Sequence, residues 1–144
     1  MNTTQPRHSV SVSAVIPDDH GRVLLIRRRD NQHWEPPGGV LELAETIHDG
    51  LRREIREETG LDIEPGPLTG IYKNMPRGII ALVFRCKITG GHLTTNDEVT
   101  AFHWADQADI RQLTSETYAV RLIDALGEGA APAIRQHDGT ELLG

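Results

Sequence analysis

The segment covering residues 34–61 constrains the fold of this chain most strongly. The run Pro36-Pro37-Gly38-Gly39 excludes a helix over residues 34–39, because paired prolines and glycines break helical structure. Thr46 is a good helix N-cap, and Gly60 stands where a left-handed C-terminal cap is needed. The pattern therefore predicts one helix over residues 46–59.

The predicted helix carries three glutamates that are close together in space. Glu54, Glu57 and Glu58 follow an i, i+3, i+4 pattern, which places them on neighbouring positions of one helix side. Carboxylates at this spacing repel one another and raise each other's pKa, and a bound cation removes that cost. Hard cations prefer oxygen ligands. The pattern therefore indicates a site for Mg²⁺ or Mn²⁺.

A helical wheel distinguishes these acids from an ordinary solvated helix face. Ile47, Leu51 and Ile55 form the apolar stripe, and at about 100° per residue Glu58 falls between the first two. Glu54 lies beside the same stripe. We therefore expect two carboxylates to point toward the body of the protein, where an unpaired charge is costly. The solvent face is predicted to carry His48, Asp49, Arg52 and Arg56.

Residues beside the acids could support such a site. Arg53 precedes Glu57 by four residues and can pair with it, although a weak surface ion pair is the simpler alternative. Gly38 and Gly39 allow a close backbone approach that a side chain would block. A glycine carbonyl or amide could then reach a metal or a phosphate.

The rest of the chain predicts strands and few helices. Alternating apolar residues predict strands over residues 9–17, 22–29, 61–63, 70–72, 79–89 and 99–104. The first two are expected to form a hairpin, and a Pro-Gly-Pro run at 65–67 is expected to end the third. Further helices are predicted over 105–113 and 115–126. This order favours an α+β fold in which helices flank a mixed sheet.

The length and composition bound the domain organisation. A chain of 144 residues suits one domain, covering residues 1–144, and residues 128–144 are expected to form a loosely held tail. The net charge of −6 argues against a nucleic-acid binder. No apolar run reaches the length of a signal peptide or a membrane span. We therefore expect a cytoplasmic protein.

The spacing of fixed residues from Gly39 to Leu61 resembles the Nudix box at every position. The residues that carry the resemblance are Gly39, Glu45, Arg53, Glu54, Ile55, Glu57, Glu58, Gly60 and Leu61. The flanking strands also look like those of the Nudix fold, an α/β/α sandwich around a mixed sheet. The resemblance implies a hydrolase in which metal-activated water attacks phosphorus and cleaves a phosphoanhydride bond of a nucleotide.

The resemblance also assigns roles to individual residues. By similarity to the family, Gly38 would ligate Mg²⁺ or Mn²⁺ through its carbonyl, beside Glu54, Glu57 and Glu58. Of these, Glu57 and Glu54 are also predicted to be catalytic, together with Arg53. The residues predicted to support the site are Gly39, Glu45 and Gly60, with Glu45 bonding near the helix start.

The box does not identify the general base. Glu98 is our candidate, because it lies in the polar loop 94–98 just before a predicted strand, and Asp97 is second. Two solvated loop acids are an equally good interpretation.

Substrate contacts are predicted more weakly. Trp34 and Tyr72 could stack on a nucleobase, and Arg27 and Arg77 could meet phosphate. Core packing explains the two aromatic residues equally well, and a charged edge strand is the alternative explanation for Arg27. Cys86 alternates with apolar residues and is expected to be inert core.

Three functions remain open at this point. A compact chain suits a nucleoside triphosphate as substrate, including a damaged one. ADP-ribose, a nucleotide sugar or a dinucleoside polyphosphate is the alternative, and Tyr72 or Pro76 could be the marker residue that such relatives carry after the box. A catalytically silent nucleotide-binding module is the third possibility, but the box keeps all its acids. The expected partner is a small nucleotide, with neither nucleic acid nor membrane, and a homodimer is possible.

Overall fold

The computed structural model describes residues 5–129 and 131–144. The strands are β1 (Ser9–Val15), β2 (Val23–Arg28), β3 (Trp34–Glu35), β4 (Gly38–Val40), β5 (Leu61–Asn74), β6 (Ile79–Gly91), β7 (Val99–Ala105), β8 (Ala133–His137) and β9 (Leu142–Leu143). The helices are α1 (Ile47–Thr59), α2 (Gln107–Leu113) and α3 (Glu116–Leu126). This order confirms the predicted α+β class.

Two sheets form the centre of the fold. The larger has the order β4-β1-β6-β5-β8-β9 and is mixed, because β1 runs parallel to β6 and β5 parallel to β8. The smaller is antiparallel with the order β3-β2-β7. Alternate residues of β1 enter two different cores, as strand geometry requires. Val12 packs with Leu51 of α1, whereas Val15 packs with Leu122 of α3. The two helices therefore cover opposite faces, as predicted.

The predicted hairpin between the first two strands is wrong. Asp18 holds the expected turn, since its Oδ1 accepts from the backbone amides of His20 and Arg22. Beyond the isolated bridge between Pro17 and Val23, however, the strands separate into different sheets. β1 pairs with β4 and β6, while β2 pairs with β3 and β7. Both edges of each strand are thus occupied by strands that come later in the chain.

The predicted break at residues 65–67 is also wrong, because β5 continues through it. The pairing with β6 shifts register between Pro65 and Leu68 and then resumes. The neighbour on the other edge, β8, pairs with β5 only from Gly70 onward. The prolines therefore lie in an irregular stretch of β5 that pairs only with β6, and such a bulged stretch tolerates a residue without an N–H group.

The expected loose tail contains two strands. β8 adds to the sheet beside β5, and β9 pairs with β8. Arg135 in β8 makes two bonds of 2.8 Å to the carboxylate of Asp124 in α3. The prediction of a loose tail is therefore wrong for residues 133–143, since main-chain pairing and this ion pair hold them.

The helices in the described parts of the chain are too short or too polar to cross a lipid bilayer.

Candidate active site

Helix α1 begins and ends where the sequence predicts. The Thr46 hydroxyl accepts from the Asp49 amide at 3.1 Å, and Gly60 has φ 81°. A Cβ at Gly60 would also collide with the carbonyl of His92, so glycine is needed there twice over. Of the three residues in the predicted apolar stripe, Leu51 and Ile55 are buried and Ile47 is not. Ile47 is 43% exposed, because the buried stripe begins one turn later.

Glu58 is the most deeply buried acid of the helix. Glu58 is only 4% exposed, and its Oε1 accepts a hydrogen bond from the Gly38 amide at 2.6 Å. Burial raises the pKa of Glu58 to about 8, and the charges of Glu54, Glu35 and Glu98 add to the effect. The prediction that this acid points inward is confirmed.

Glu54 also points inward, with 14% of its side chain exposed. Burial is the largest cause that raises its pKa, and the charges of Glu57 and Glu98 raise it further. Its carboxylate lies against Gly39, where an added Cβ would overlap it. Glycine at this position is therefore what allows a strand and a carboxylate to approach so closely.

Arg53 joins the helix to the loop before it. Its Nε and Nη2 donate to the two carboxylate oxygens of Glu45 at 2.8 and 2.6 Å. Glu45 also accepts from the Glu42 amide at 2.9 Å, and the pKa of Glu45 falls to about 2, chiefly because of Arg53. The guanidinium further donates to Glu54 at 3.0 Å and to Glu57 at 3.3 Å. One arginine thus fixes three carboxylates.

Glu57 differs from the other two acids because it faces solvent. Its side chain is 59% exposed and pairs with Arg53. Across residues 5–129 and 131–144, no three side chains of the metal-binding types stand close enough together to hold an ion. Arg53 engages both Glu54 and Glu57, while the Gly38 amide engages Glu58, so Glu58 has a different partner from the other two acids. The three predicted carboxylate ligands are therefore neighbours on α1, but their side chains do not converge on one point in the described part of the chain.

Glu98 lies within electrostatic reach of the buried acids. Its charge contributes to the raised pKa of both Glu54 and Glu58. It also lines a cavity of about 430 Å³, whose other lining residues are Arg28, Arg29, Asp30 and Asp97. The structure therefore brings the predicted base and its runner-up to one cavity, which the end of β2 and the loop before β7 enclose.

The predicted substrate contacts have different outcomes. Tyr72 is fully buried and donates to Asp124 at 2.7 Å, so the prediction that it stacks on a nucleobase is wrong. Trp34 is partly buried and meets His103 edge-on at 5.9 Å between ring centroids. Arg77 is exposed in the turn between β5 and β6.

Arg27 is the fourth predicted contact. Its Nε is buried, and within the described part of the chain this atom has no hydrogen-bond partner.

Glu35 and Asn96 lie near the site although the sequence assigned them no role, and Arg29, considered only as a phosphate contact, has a structural role there. Glu35 is 8% exposed, pairs with Arg28 at 3.2 Å and adds charge near Glu58. Arg29 and Asn96 hold the loop that carries Glu98. An acid directly before the Pro-Pro-Gly-Gly run was the available signal for Glu35, but an asparagine in a polar loop gave none.

Comparisons with known proteins agree with this geometry. The NUDIX domain matches residues 7–126. A MutT-like protein of Streptomyces ambofaciens is 52% identical over 141 residues, covering 98% of this chain and 91% of the relative. An ADP-ribose pyrophosphatase of Methanocaldococcus jannaschii is 34% identical over 112 residues, covering 73% of this chain and 66% of the relative.

Solved structures show the same fold. The crystal structure of an ADP-ribose pyrophosphatase from Streptococcus suis superimposes with a TM-score of 0.77, covering 89% of this chain and 99% of that one at 22% identity. The domain match and the relative that is similar over nearly the whole chain show the family. The chain belongs to the Nudix family of hydrolases.

Proposed function

We propose that this chain hydrolyses a phosphoanhydride bond of a nucleotide derivative at the C-terminal half of α1. The observation that carries the proposal is the buried carboxyl of Glu58, whose pKa is raised to about 8 beside Glu54, Glu35 and Glu98. An acid held in this state is costly for folding, and perturbed acids of this kind concentrate at functional sites.

The donor chemistry of these residues fits a divalent cation. Nudix hydrolases generally use such ions. The charged forms of Glu54 and Glu58 are disfavoured by burial and by neighbouring carboxyls, which is the effect that a cation reverses. Glu54, Glu57, Glu58 and the Gly38 carbonyl would hold Mg²⁺ or Mn²⁺. When bound, the ion would neutralise phosphate charge and lower the pKa of water.

The chain's own residues would complete the reaction. Glu98 is proposed to take a proton from the attacking water, since it lines the cavity and lies near both buried acids. Arg53 is proposed to orient Glu54 and Glu57, and its fork to Glu45 keeps the guanidinium in place. Gly39 and Gly60 would support the site through the close contacts described above.

The substrate would lie in the cavity beside Glu98. Its volume of about 430 Å³ falls in the range of small-molecule sites. Trp34 remains our candidate for stacking on a base, and Arg27 and Arg77 for contacts with phosphate. A nucleoside triphosphate is one substrate class. ADP-ribose or a related diphosphate is the second, and the relative from Methanocaldococcus jannaschii favours it.

A phosphate-release screen tests the proposal. It covers nucleoside triphosphates, oxidised nucleotides, ADP-ribose, nucleotide sugars and dinucleoside polyphosphates, each with Mg²⁺ and with EDTA. We expect turnover of one class that EDTA abolishes and that Glu58→Gln lowers by orders of magnitude. Tight nucleotide binding without turnover of any substrate would instead identify a silent binding module.

The cellular context stays a prediction. We propose a cytoplasmic protein whose partner is a small nucleotide and that binds neither nucleic acid nor membrane. A homodimer is also proposed, and sedimentation of the purified chain tests it.

A further inference from the structure

One side chain, that of Asn96, ties the loop before β7 to the end of α1. Its Nδ2 donates to the carbonyl oxygens of Glu57 and Glu58 at 3.1 and 2.9 Å. Its Oδ1 accepts from the backbone amides of Glu98 and Val99 at 2.8 and 3.0 Å. Asn96 therefore links the peptide of Glu98 directly to the helical turn that carries two of the acids.

The neighbours of this amide fix its orientation. Two carbonyl oxygens require a donor and two N–H groups require an acceptor, so exchanging the oxygen and nitrogen of Asn96 would lose all four bonds. The carbonyls belong to the last turn of α1, where the helix supplies no N–H donor to its own carbonyl oxygens. An aspartate would keep only the two hydrogen bonds from the backbone amides of Glu98 and Val99. Its second carboxylate oxygen would lie against the carbonyl oxygens of Glu57 and Glu58 and repel them.

Arg29 holds the same loop from the opposite side. Its Nε donates to the Asp97 carbonyl at 3.0 Å and its Nη2 to the Asn96 carbonyl at 3.1 Å. Its backbone amide donates to the Glu98 carbonyl at 2.8 Å. The exposed carboxylate of Glu98 is thus carried by backbone that is anchored both to the end of β2 and to the end of α1.

We propose that Asn96 is a positioning residue that holds Glu98 opposite Glu54 and Glu58 before the substrate binds. The proposal rests on the proposed function, in which Glu98 is the general base. The four hydrogen bonds of the Asn96 amide place the backbone of Glu98 beside the helical turn that carries Glu57 and Glu58. Displacing a catalytic group by about 1 Å can cost up to about 100-fold in rate, so this anchor matters to turnover.

Asn96→Asp tests the anchor, using a substrate that the wild-type chain hydrolyses with Mg²⁺. We expect kcat to fall about 10- to 100-fold while KM changes less than about twofold. The matched control is Asp138→Asn in the turn between β8 and β9. The Oδ1 of Asp138 likewise accepts from two backbone amides, those of Thr140 and Glu141. Asparagine keeps this acceptor in a turn that carries none of the proposed site residues, so Asp138→Asn should leave kcat unchanged.

A double variant separates positioning from general structural damage. If Asn96 acts through Glu98, then Asn96→Asp combined with Glu98→Gln should be no slower than Glu98→Gln alone. Multiplication of the two losses would overturn the proposal, as would wild-type kcat in Asn96→Asp. If that variant does not fold, Asn96→Ala replaces it, and wild-type kcat in the folded alanine variant overturns the proposal equally.

A failure of the proposed function, or of Glu98 as the base, can be distinguished from a failure of the positioning role of Asn96. No turnover by the wild-type chain counts against the proposed function. Unchanged kcat in Glu98→Gln counts against the base, and with it against the role given to Asn96. A slow Glu98→Gln beside a normal Asn96→Asp counts against the positioning role alone.

Discussion

Replacing Glu58 with glutamine measures the cost of its buried carboxylate. Burial and neighbouring charges raise the pKa of Glu58 from 4.5 to about 8 in the folded chain. Because the folded state holds this proton more tightly, Glu58 stabilises the fold below its unfolded pKa, and the contribution is lost as the pH rises through 8. A difference of about 3.5 in pKa corresponds to up to about 5 kcal/mol.

Glutamine has nearly the same shape, and its carbonyl oxygen can keep the bond from the Gly38 amide without ever becoming charged. In EDTA-treated protein, Glu58→Gln should therefore match the free energy of unfolding of the wild-type chain within about 1 kcal/mol near pH 5. Near pH 9 it should be more stable by about 3 to 5 kcal/mol. Equilibrium urea unfolding at both pH values gives the two differences.

The matched control is Glu57→Gln, which removes an exposed carboxylate from the same helix. It should change the free energy of unfolding by less than about 1 kcal/mol at either pH. The reasoning is refuted if Glu58→Gln differs from the wild-type chain equally at both pH values, or is the less stable protein near pH 9. Saturating Mg²⁺ should stabilise the wild-type chain more than Glu58→Gln.

Three further variants test the surrounding geometry. Gly39→Ala should lower kcat at least about 10-fold, because its Cβ would displace the Glu54 carboxylate; steady-state kinetics on protein with a native circular dichroism spectrum checks this. Arg53→Gln should lower kcat about 10-fold or more through loss of its carboxylate contacts, whereas Arg52→Gln, which breaks only exposed ion pairs, should not. Tyr72→Phe should cost about 1 kcal/mol in urea unfolding and leave KM unchanged, and a raised KM would restore Tyr72 as a substrate contact.

The parts of the fold that the sequence predicts well are those with local causes. The bounds of α1 follow from Thr46 and Gly60, and the inward direction of Glu54 and Glu58 follows from helical spacing alone. Each of these signals lies within a few residues of the structure it determines.

The errors concern contacts between distant parts of the chain. Neither partner of β1 in its sheet is its neighbour in sequence, so a turn at Asp18 could not reveal the pairing. β8 has little apolar alternation and is held by main-chain bonds to β5. Stacking on a base and core packing both stayed open for Tyr72, because nothing near it in sequence shows that α3 supplies Asp124. Asn96 likewise acts on a helix about forty residues earlier.

The placement of β8 has a consequence for shortened forms of the chain. The NUDIX domain match ends at residue 126, which invites truncation after α3. Such a truncation would strip β5 of its parallel neighbour and leave the N–H and C=O groups of residues 70–74 that face β8 unpaired along an open edge. Open edges of this kind recruit strands from other molecules. Shortened protein should therefore self-associate even though every residue of the Nudix box is intact.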